Sequence, residues 1–117
     1  MLVTGKTSNE ELSRIVADEY CIAILQAIDK VPKSASQLSS ECGIFMGIVY
    51  RRLKLLQKNG LLDVSYEIRP DGKKFFLYES LVKDITVSFN GNKLEVAVYL
   101  KRNENFPDAS DLIKQEP

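Results

Sequence analysis

The chain has 117 residues, and 44% of them are hydrophobic, which is enough for one domain with a packed core. Its 16 basic and 16 acidic side chains cancel, and the mixture of charged and apolar residues argues against wholesale disorder. No apolar run reaches the roughly 18 residues that a membrane span needs, and residues 1–6 do not resemble the start of a secretory signal. The two cysteines, Cys21 and Cys42, are too few for a disulfide framework, so a cytoplasmic location is expected.

The sequence contains no histidine. Histidine is the commonest general base and one of the commonest zinc ligands, so its absence argues against an enzyme and against a zinc site. No glycine pattern of a nucleophile elbow and no cluster of metal ligands takes its place. We therefore predict no catalytic residue, no metal and no cofactor.

The zero net charge hides an uneven distribution along the chain. Residues 44–78 carry seven basic and three acidic side chains, a net charge of +4, whereas the segments 1–43 and 79–117 each carry −2. A basic middle between acidic ends can attract a polyanion to one face of the folded domain. Uneven charge on a solvated surface is the alternative explanation.

The first predicted elements are helical. Residues 1–7 are expected to be a flexible lead-in, and Ser8 with Glu11 forms a capping box that begins a helix. The apolar residues from Leu12 to Ile28 recur at steps of three and four, as on a helix with one buried face. Asp18 either lies within one long helix or caps the start of a second one.

A helix-turn-helix pattern follows. Ser34 and Gln37 form a second capping box, which predicts a short helix that ends at Gly43. A longer helix is predicted at about 46–58, and Asn59-Gly60 ends it. The residues expected to face the core in this region are Ile44, Val49, Leu53 and Leu56. A short helix, a tight glycine turn and a longer helix are typical of the helix-turn-helix motif.

After Gly60 the hydrophobic period changes from helical to two. The alternation of Leu62, Val64, Tyr66 and Ile68 with polar residues predicts a half-buried strand. Pro70-Asp71-Gly72 is a strong turn signal, and 75–79 is the returning strand. A second hairpin is predicted over Ile85–Leu100 around Asn90-Gly91, and 101–117 is expected to be a polar tail.

These elements predict an α+β fold, a winged helix-turn-helix with three or four N-terminal helices, a β-hairpin wing and an additional C-terminal β-hairpin. The expected organisation is a DNA-binding domain at 8–80 and a hairpin extension of the same domain at 81–100. The stretch 34–80 resembles the ArsR-like winged-helix transcriptional regulators, above all their small archaeal members. The resemblance rests on IVYRRLKLLQKNGLL, the wing tip PDGKK, the closing LYES and the upstream DEYCIAILQAI.

The resemblance implies a regulator that binds double-stranded DNA, with helix 46–58 in the major groove. Arg51 is the strongest candidate for a base contact, because its guanidinium can donate two hydrogen bonds, one to O6 and one to N7 of guanine. Arg52 and Lys54 are expected to hold phosphates, and the wing residues to reach the backbone or the minor groove. The predicted DNA-binding residues are Met46, Gly47, Ile48, Tyr50, Arg51, Arg52, Lys54, Arg69, Lys73 and Lys74. Solvated surface residues are the alternative for each of these cations.

The start of the reading helix departs from the family pattern, in which small polar residues are common. Apolar side chains there contact thymine methyl groups but cannot form a hydrogen-bond code. Gly47 costs about 1 kcal/mol relative to alanine within a helix, and a close approach to a phosphate backbone would explain it. The alternative function is a protein-interaction module with an apolar anchor formed by Phe45, Met46 and Ile48.

A homodimer is expected, with contacts from Leu12, Ile15 and Val16 of the first helix. The hairpin Ile85–Leu100 either joins the dimer interface or packs on the helices of its own subunit. Cys21 and Cys42 have no histidine and no further thiol nearby in sequence, so metal sensing is not expected. A small buried hydrophobic group is the favoured role for Cys42, and a redox switch is the alternative for either thiol.

Overall fold

The computed structural model describes residues 9–101 of the chain. In this range four helices precede four strands, in the order α1 (Asn9–Ala17), α2 (Glu19–Ala27), α3 (Ala35–Cys42), α4 (Met46–Lys58), β1 (Leu62–Ile68), β2 (Lys74–Ser80), β3 (Val82–Phe89) and β4 (Leu94–Leu100). The arrangement confirms the predicted α+β fold of helices followed by two β-hairpins. The lead-in at 1–7, the cap at Ser8 and the tail beyond Lys101 lie outside the described residues.

Asp18 divides the N-terminal helical segment into α1 and α2. Its backbone is extended, and its side chain accepts a hydrogen bond from the backbone N–H of Cys21 at 2.8 Å. A carboxylate at this position satisfies one of the first N–H groups of the new helix and interacts favourably with its dipole. Of the two alternatives that the sequence left open, the structure has two helices.

The helix-turn-helix has the predicted boundaries. The Ser34 hydroxyl accepts from the Gln37 N–H, and the Gln37 side chain accepts from the Ser34 N–H, which completes the capping box of α3. Gly43 ends α3 with φ of 67°, in the left-handed region that glycine adopts without a Cβ clash. Phe45 precedes α4 and forms no side-chain cap.

Each pair of consecutive strands forms its own antiparallel two-stranded sheet. The β1–β2 hairpin, hereafter the wing, is tied to the helices by an isolated bridge between Lys33 and Tyr78, with both backbone hydrogen bonds formed. Because Lys33 lies just before the first turn of α3, this bridge brings the wing next to the helix-turn-helix. The base of the β3–β4 hairpin packs against α1 and is joined to the wing through Leu81.

One hydrophobic core joins the helices to the bases of both hairpins. The residues predicted to face inward from the helix-turn-helix are all buried, and Val82, Val96 and Val98 join them from the second hairpin. The base of that hairpin therefore packs on the helices of its own subunit.

The outer halves of both hairpins extend beyond this core. Leu62 is buried and Val64 is half-buried, but Tyr66 and Ile68 are exposed, so the prediction of a half-buried strand is wrong for the outer half of β1. The physical reason is that alternation places all four residues on one face, whereas the helices pack against only the base of that face. Period-two alternation identifies the strand but does not measure how much of it is covered.

Candidate nucleic-acid interface

Helix α4 presents a basic, uncovered face beside its buried one. Val49, Leu53 and Leu56 point into the core, and the residues left exposed include Met46, Gly47, Tyr50, Arg51 and Lys54. The helix contains no acidic residue, so no carboxylate within it competes for Arg51 or Lys54. Among the predicted contact residues of this helix, Ile48 differs because it is half-buried and packs against the core.

The start of α4 combines an open backbone with an exposed aromatic ring. A Cβ placed on Gly47 would meet no atom within 4 Å, so the packing of this chain does not require glycine there. Phe45, just before the helix, is 82% exposed. Both features lie at the start of α4, the helix that was predicted to read bases, and contacts within the described part of the chain explain neither of them.

Arg52 has an intramolecular partner, whereas Arg51 has no ion pair among residues 9–101. Its Nε donates to Oδ2 of Asp18 at 2.9 Å and its Nη2 donates to Oδ1 at 3.2 Å, while the guanidinium lies 5.3 Å from the centroid of the Tyr20 ring. The hydrogen bonds from Arg52 hold the pKa of Asp18 below its usual value, and the same bonds raise the pKa of Arg52. The phosphate contact stays a prediction for Arg52, but the structure gives this side chain the role of anchoring α4 to the start of α2.

The tip of the wing is a compact turn that bears three cations. The Gly72 N–H donates to the Arg69 carbonyl at 2.8 Å, and the Lys73 N–H donates to the Asp71 side chain at 2.9 Å. Gly72 has φ of 87°, as the turn signal requires. Arg69, Lys73 and Lys74 are exposed around this turn, where the sequence predicted them to meet a nucleic-acid backbone.

A groove with a volume of about 700 Å³ lies between the wing, the first turn of α3 and α4. We call it the wing groove, and the side chains that define it are Tyr50, Arg69, Lys74, Phe76 and Tyr78. None of the described residues that line it is acidic. Burial, and secondarily the neighbouring Tyr50, raises the pKa of Tyr78 above its usual value, so its phenol is neutral at physiological pH.

The sequence reasoning named three of these groove residues and missed the aromatic pair Phe76 and Tyr78. Phe76 and Tyr78 pair with Tyr66 and Val64 and lie on the face that alternation predicted to be buried. Nothing in the local pattern indicated that only the base of this face is covered. Which rings of a hairpin remain exposed can therefore be predicted only once its packing partners are known.

Two of the predicted dimer contacts of α1 lie in the core. Leu12 and Ile15 are 0% and 1% exposed, because α1 packs them into the core of its own subunit. Their contact with a second copy stays a prediction. Val16 is half-buried and also packs against that core.

The two thiols differ in their surroundings. Cys21 is fully buried, and burial together with the adjacent Asp18 raises the pKa of its thiol to about 12. A thiol with that pKa contains almost no thiolate at neutral pH, and Cys21 packs within the hydrophobic core. Cys42 is half-buried and packs against the core, and both thiols are free.

Residues 16–65 match the sequence profile of a family described as a helix-turn-helix domain. The matched range runs from the end of α1 through α2, α3 and α4 to the first half of β1, so it contains the whole helix-turn-helix. This segment of the chain is therefore similar to that helix-turn-helix family. None of the curated proteins matches the chain.

Within residues 9–101 no helix is both long enough and apolar enough to cross a membrane. The same described range contains no group of three or more cysteine, aspartate or glutamate side chains arranged to hold a metal ion.

Proposed function

We propose that this protein is a DNA-binding transcriptional regulator of the small ArsR-like winged-helix type, as the sequence resemblance implies. The observation that carries the proposal is the uncovered face of α4 in a helix-turn-helix domain, where Arg51 and Lys54 stand without any carboxylate in the helix. α4 enters the major groove, and the wing cations lie against the backbone or the minor groove. Gly47 then allows the start of α4 to approach a phosphate closely.

The salt dependence of duplex binding tests this proposal. Four exposed cations, Lys54, Arg69, Lys73 and Lys74, each neutralise one phosphate in this proposal, while Arg51 contacts a base. At about 0.9 per phosphate, log K plotted against log salt concentration should fall with a slope of about −4 per protomer. Fluorescence anisotropy with a set of promoter-length duplexes at several salt concentrations measures it. A Lys73→Ala, Lys74→Ala double variant should reduce the slope by about 2, and the absence of any binding at low salt would contradict the proposal.

The protein-interaction module remains a second candidate because Phe45 is 82% exposed. Phe45 and the partly exposed Met46 form an apolar pair at the start of α4, with the half-buried Ile48 beneath them. Such an anchor binds by burying apolar area, so its affinity responds little to salt. A partner whose affinity is insensitive to salt and is lost in Phe45→Ala, together with no duplex binding, would favour this second function.

We propose further that the regulator is a homodimer, and that the outer half of the β3–β4 hairpin forms its interface. One face of this hairpin continues from the buried Val96 and Val98 to the uncovered Val87, Phe89 and Leu94. Phe89 and Leu94 are cross-strand partners at the tip, and Phe89 is 69% exposed. Two copies that bury this face against each other can place two reading helices about 34 Å apart on a duplex.

Light scattering at tens of micromolar tests the dimer. The wild type should have twice the chain mass of 13.2 kDa, and Phe89→Asp should have the mass of one chain, because a carboxylate at the centre of an apolar interface is desolvated without a partner. Ser88→Asp is the matched control, since Ser88 lies on the opposite face of the same strand and should leave the dimer intact. A monomeric wild type would contradict this part of the proposal.

A further inference from the structure

The wing groove contains exposed aromatic rings that a stacked duplex does not contact. Its lining includes the rings of Tyr50, Phe76 and Tyr78 and the cations Arg69 and Lys74. Tyr50 and Phe76 are each about half exposed. In a duplex the faces of the bases are covered by their neighbours, so duplex DNA offers the groove phosphates but no flat ring surface.

A contact between a cation and a ring, and a contact between two rings, hold Lys74 close to Phe76. The Lys74 ammonium lies 4.6 Å from the centroid of the Tyr66 ring, and Tyr66 meets Phe76 edge to face with centroids 6.3 Å apart. A cation over one ring and a second ring packed at right angles to it restrict the positions of both Lys74 and Phe76. The aromatic wall and the positive charge are thus presented together rather than on separate mobile side chains.

A ligand that satisfies these groups has a flat ring and a negative charge a short distance apart. A purely apolar segment would leave Arg69 and Lys74 desolvated without partners, and a simple anion would leave the rings exposed to water. The volume of about 700 Å³ lies within the range of small-ligand sites, about 300–1,000 Å³. Aromatic rings interleaved with cations are the usual means of binding unstacked nucleotides.

We propose that the wing groove binds an unstacked nucleotide, with the base against Phe76 and Tyr50 and the phosphate on Arg69 and Lys74. The nucleotide belongs either to an unpaired strand or to a free nucleotide, since both present the same ring and charge. The inference rests on the proposed function, because Tyr50, Arg69 and Lys74 are also part of the proposed DNA interface. It adds a substrate class, unpaired nucleic acid or nucleotide, to a protein otherwise proposed to read duplex DNA.

The experiment compares three probes on the full chain by isothermal titration calorimetry: a duplex, one of its strands as a hexanucleotide, and thymidine 5′-monophosphate. The wild type should bind the single strand, and Phe76→Ala should weaken that binding by roughly five- to hundredfold, the range expected for one lost base–aromatic stack. Duplex affinity should change less than threefold. Displacement of the strand by the mononucleotide would identify a free nucleotide as a sufficient ligand, and strand binding that the mononucleotide does not displace would identify the unpaired strand.

Two further variants separate stacking from other effects. Phe76→Leu keeps apolar bulk but removes the ring, and it should lose strand affinity nearly as much as Phe76→Ala. Val31→Ala is the control, because it shortens an exposed apolar side chain that lies outside both the wing groove and the proposed dimer face. Circular dichroism checks that substitution of the exposed Phe76 leaves the fold intact.

The outcomes distinguish this inference from the proposed function. Duplex binding without strand or mononucleotide binding, or an equal loss of duplex and strand affinity in Phe76→Ala, would overturn the groove assignment and leave the regulator proposal standing. Strand binding that depends on Phe76 without any duplex binding would support the groove and overturn the duplex regulator. Absence of binding to all three probes would overturn both.

Discussion

Arg51→Ala is expected to weaken duplex binding by roughly five- to hundredfold, because a bidentate arginine–guanine contact contributes about 1–3 kcal/mol. Arg51 is exposed on the uncovered face of α4, with Gly47 one turn earlier and Lys54 nearly one turn later. Its neighbour Arg52 points the other way, into the ion pair with Asp18. The two adjacent arginines therefore have different expected roles, and only Arg51 has a guanidinium available to a base edge.

Anisotropy titrations with duplexes that differ at single base pairs measure this effect. Arg51→Lys keeps the charge but loses the fork, so it should retain affinity for unrelated duplexes and lose discrimination at one guanine. Arg14→Ala is the control, because it removes the same residue type from an exposed position on α1. Equal losses in Arg51→Ala and Arg14→Ala would indicate a general charge effect and contradict the base contact.

Asp18→Ala is expected to lower the free energy of unfolding by about 2–3 kcal/mol. The substitution removes the N-cap of α2, which by itself contributes about 0.5–2 kcal/mol. It also leaves the Arg52 guanidinium, whose side chain is only 26% exposed, without its carboxylate, and hydrogen bonds between charged groups contribute about 1.5–3 kcal/mol. Because both contributions share one side chain, they are not fully additive.

Urea unfolding of a series at position 18 separates the two contributions. Asp18→Asn keeps an oxygen for the Cys21 N–H but has no charge for Arg52. Its free energy of unfolding should therefore fall about half as much as that of Asp18→Ala. Glu10→Ala is the control, since it removes an exposed carboxylate paired with Arg14 and should change stability by less than about 0.5 kcal/mol. Equal stability of Asp18→Ala and the wild type would contradict a structural role for the pair.

The differences in unfolding free energy within this series are expected to depend on pH. The folded protein holds the pKa of Asp18 below its unfolded value, so the carboxylate contribution is fully present above the unfolded pKa of about 3.9. It is lost as the pH falls through the lower, folded pKa, because protonation then removes the charge that Arg52 binds. Below that pH the difference in unfolding free energy between the wild type and Asp18→Asn should therefore narrow.

Local signals in the sequence were sufficient for the helix-turn-helix and for the turn of the wing. The capping pair Ser34 and Gln37, the glycine at 43 and the turn at 70–72 each act within a few residues, and each has the predicted backbone geometry. The core face of α4 followed from the 3.6-residue period alone. Local chemistry determines these features because their hydrogen bonds and side-chain directions depend on neighbours along the chain.

Features that depend on partners distant in sequence could not be predicted in this way. The sequence could not show that Arg52 pairs with a carboxylate 34 residues earlier, or that α1 buries Leu12 and Ile15 within its own subunit. The periodicity of a residue identifies which face it lies on, but the length of the element packed against that face decides whether it is covered.

The sequence by itself determined a winged helix-turn-helix with a basic middle, because periodicity, caps and turn residues are all encoded locally. Only the tertiary structure decided which of those basic and aromatic side chains remain available. The helices cover the bases of both hairpins and leave their outer halves uncovered, and the Lys33–Tyr78 bridge brings the wing against α3 and α4. The resulting groove between Tyr50, Arg69 and Phe76 exists only because three separate segments pack around one core.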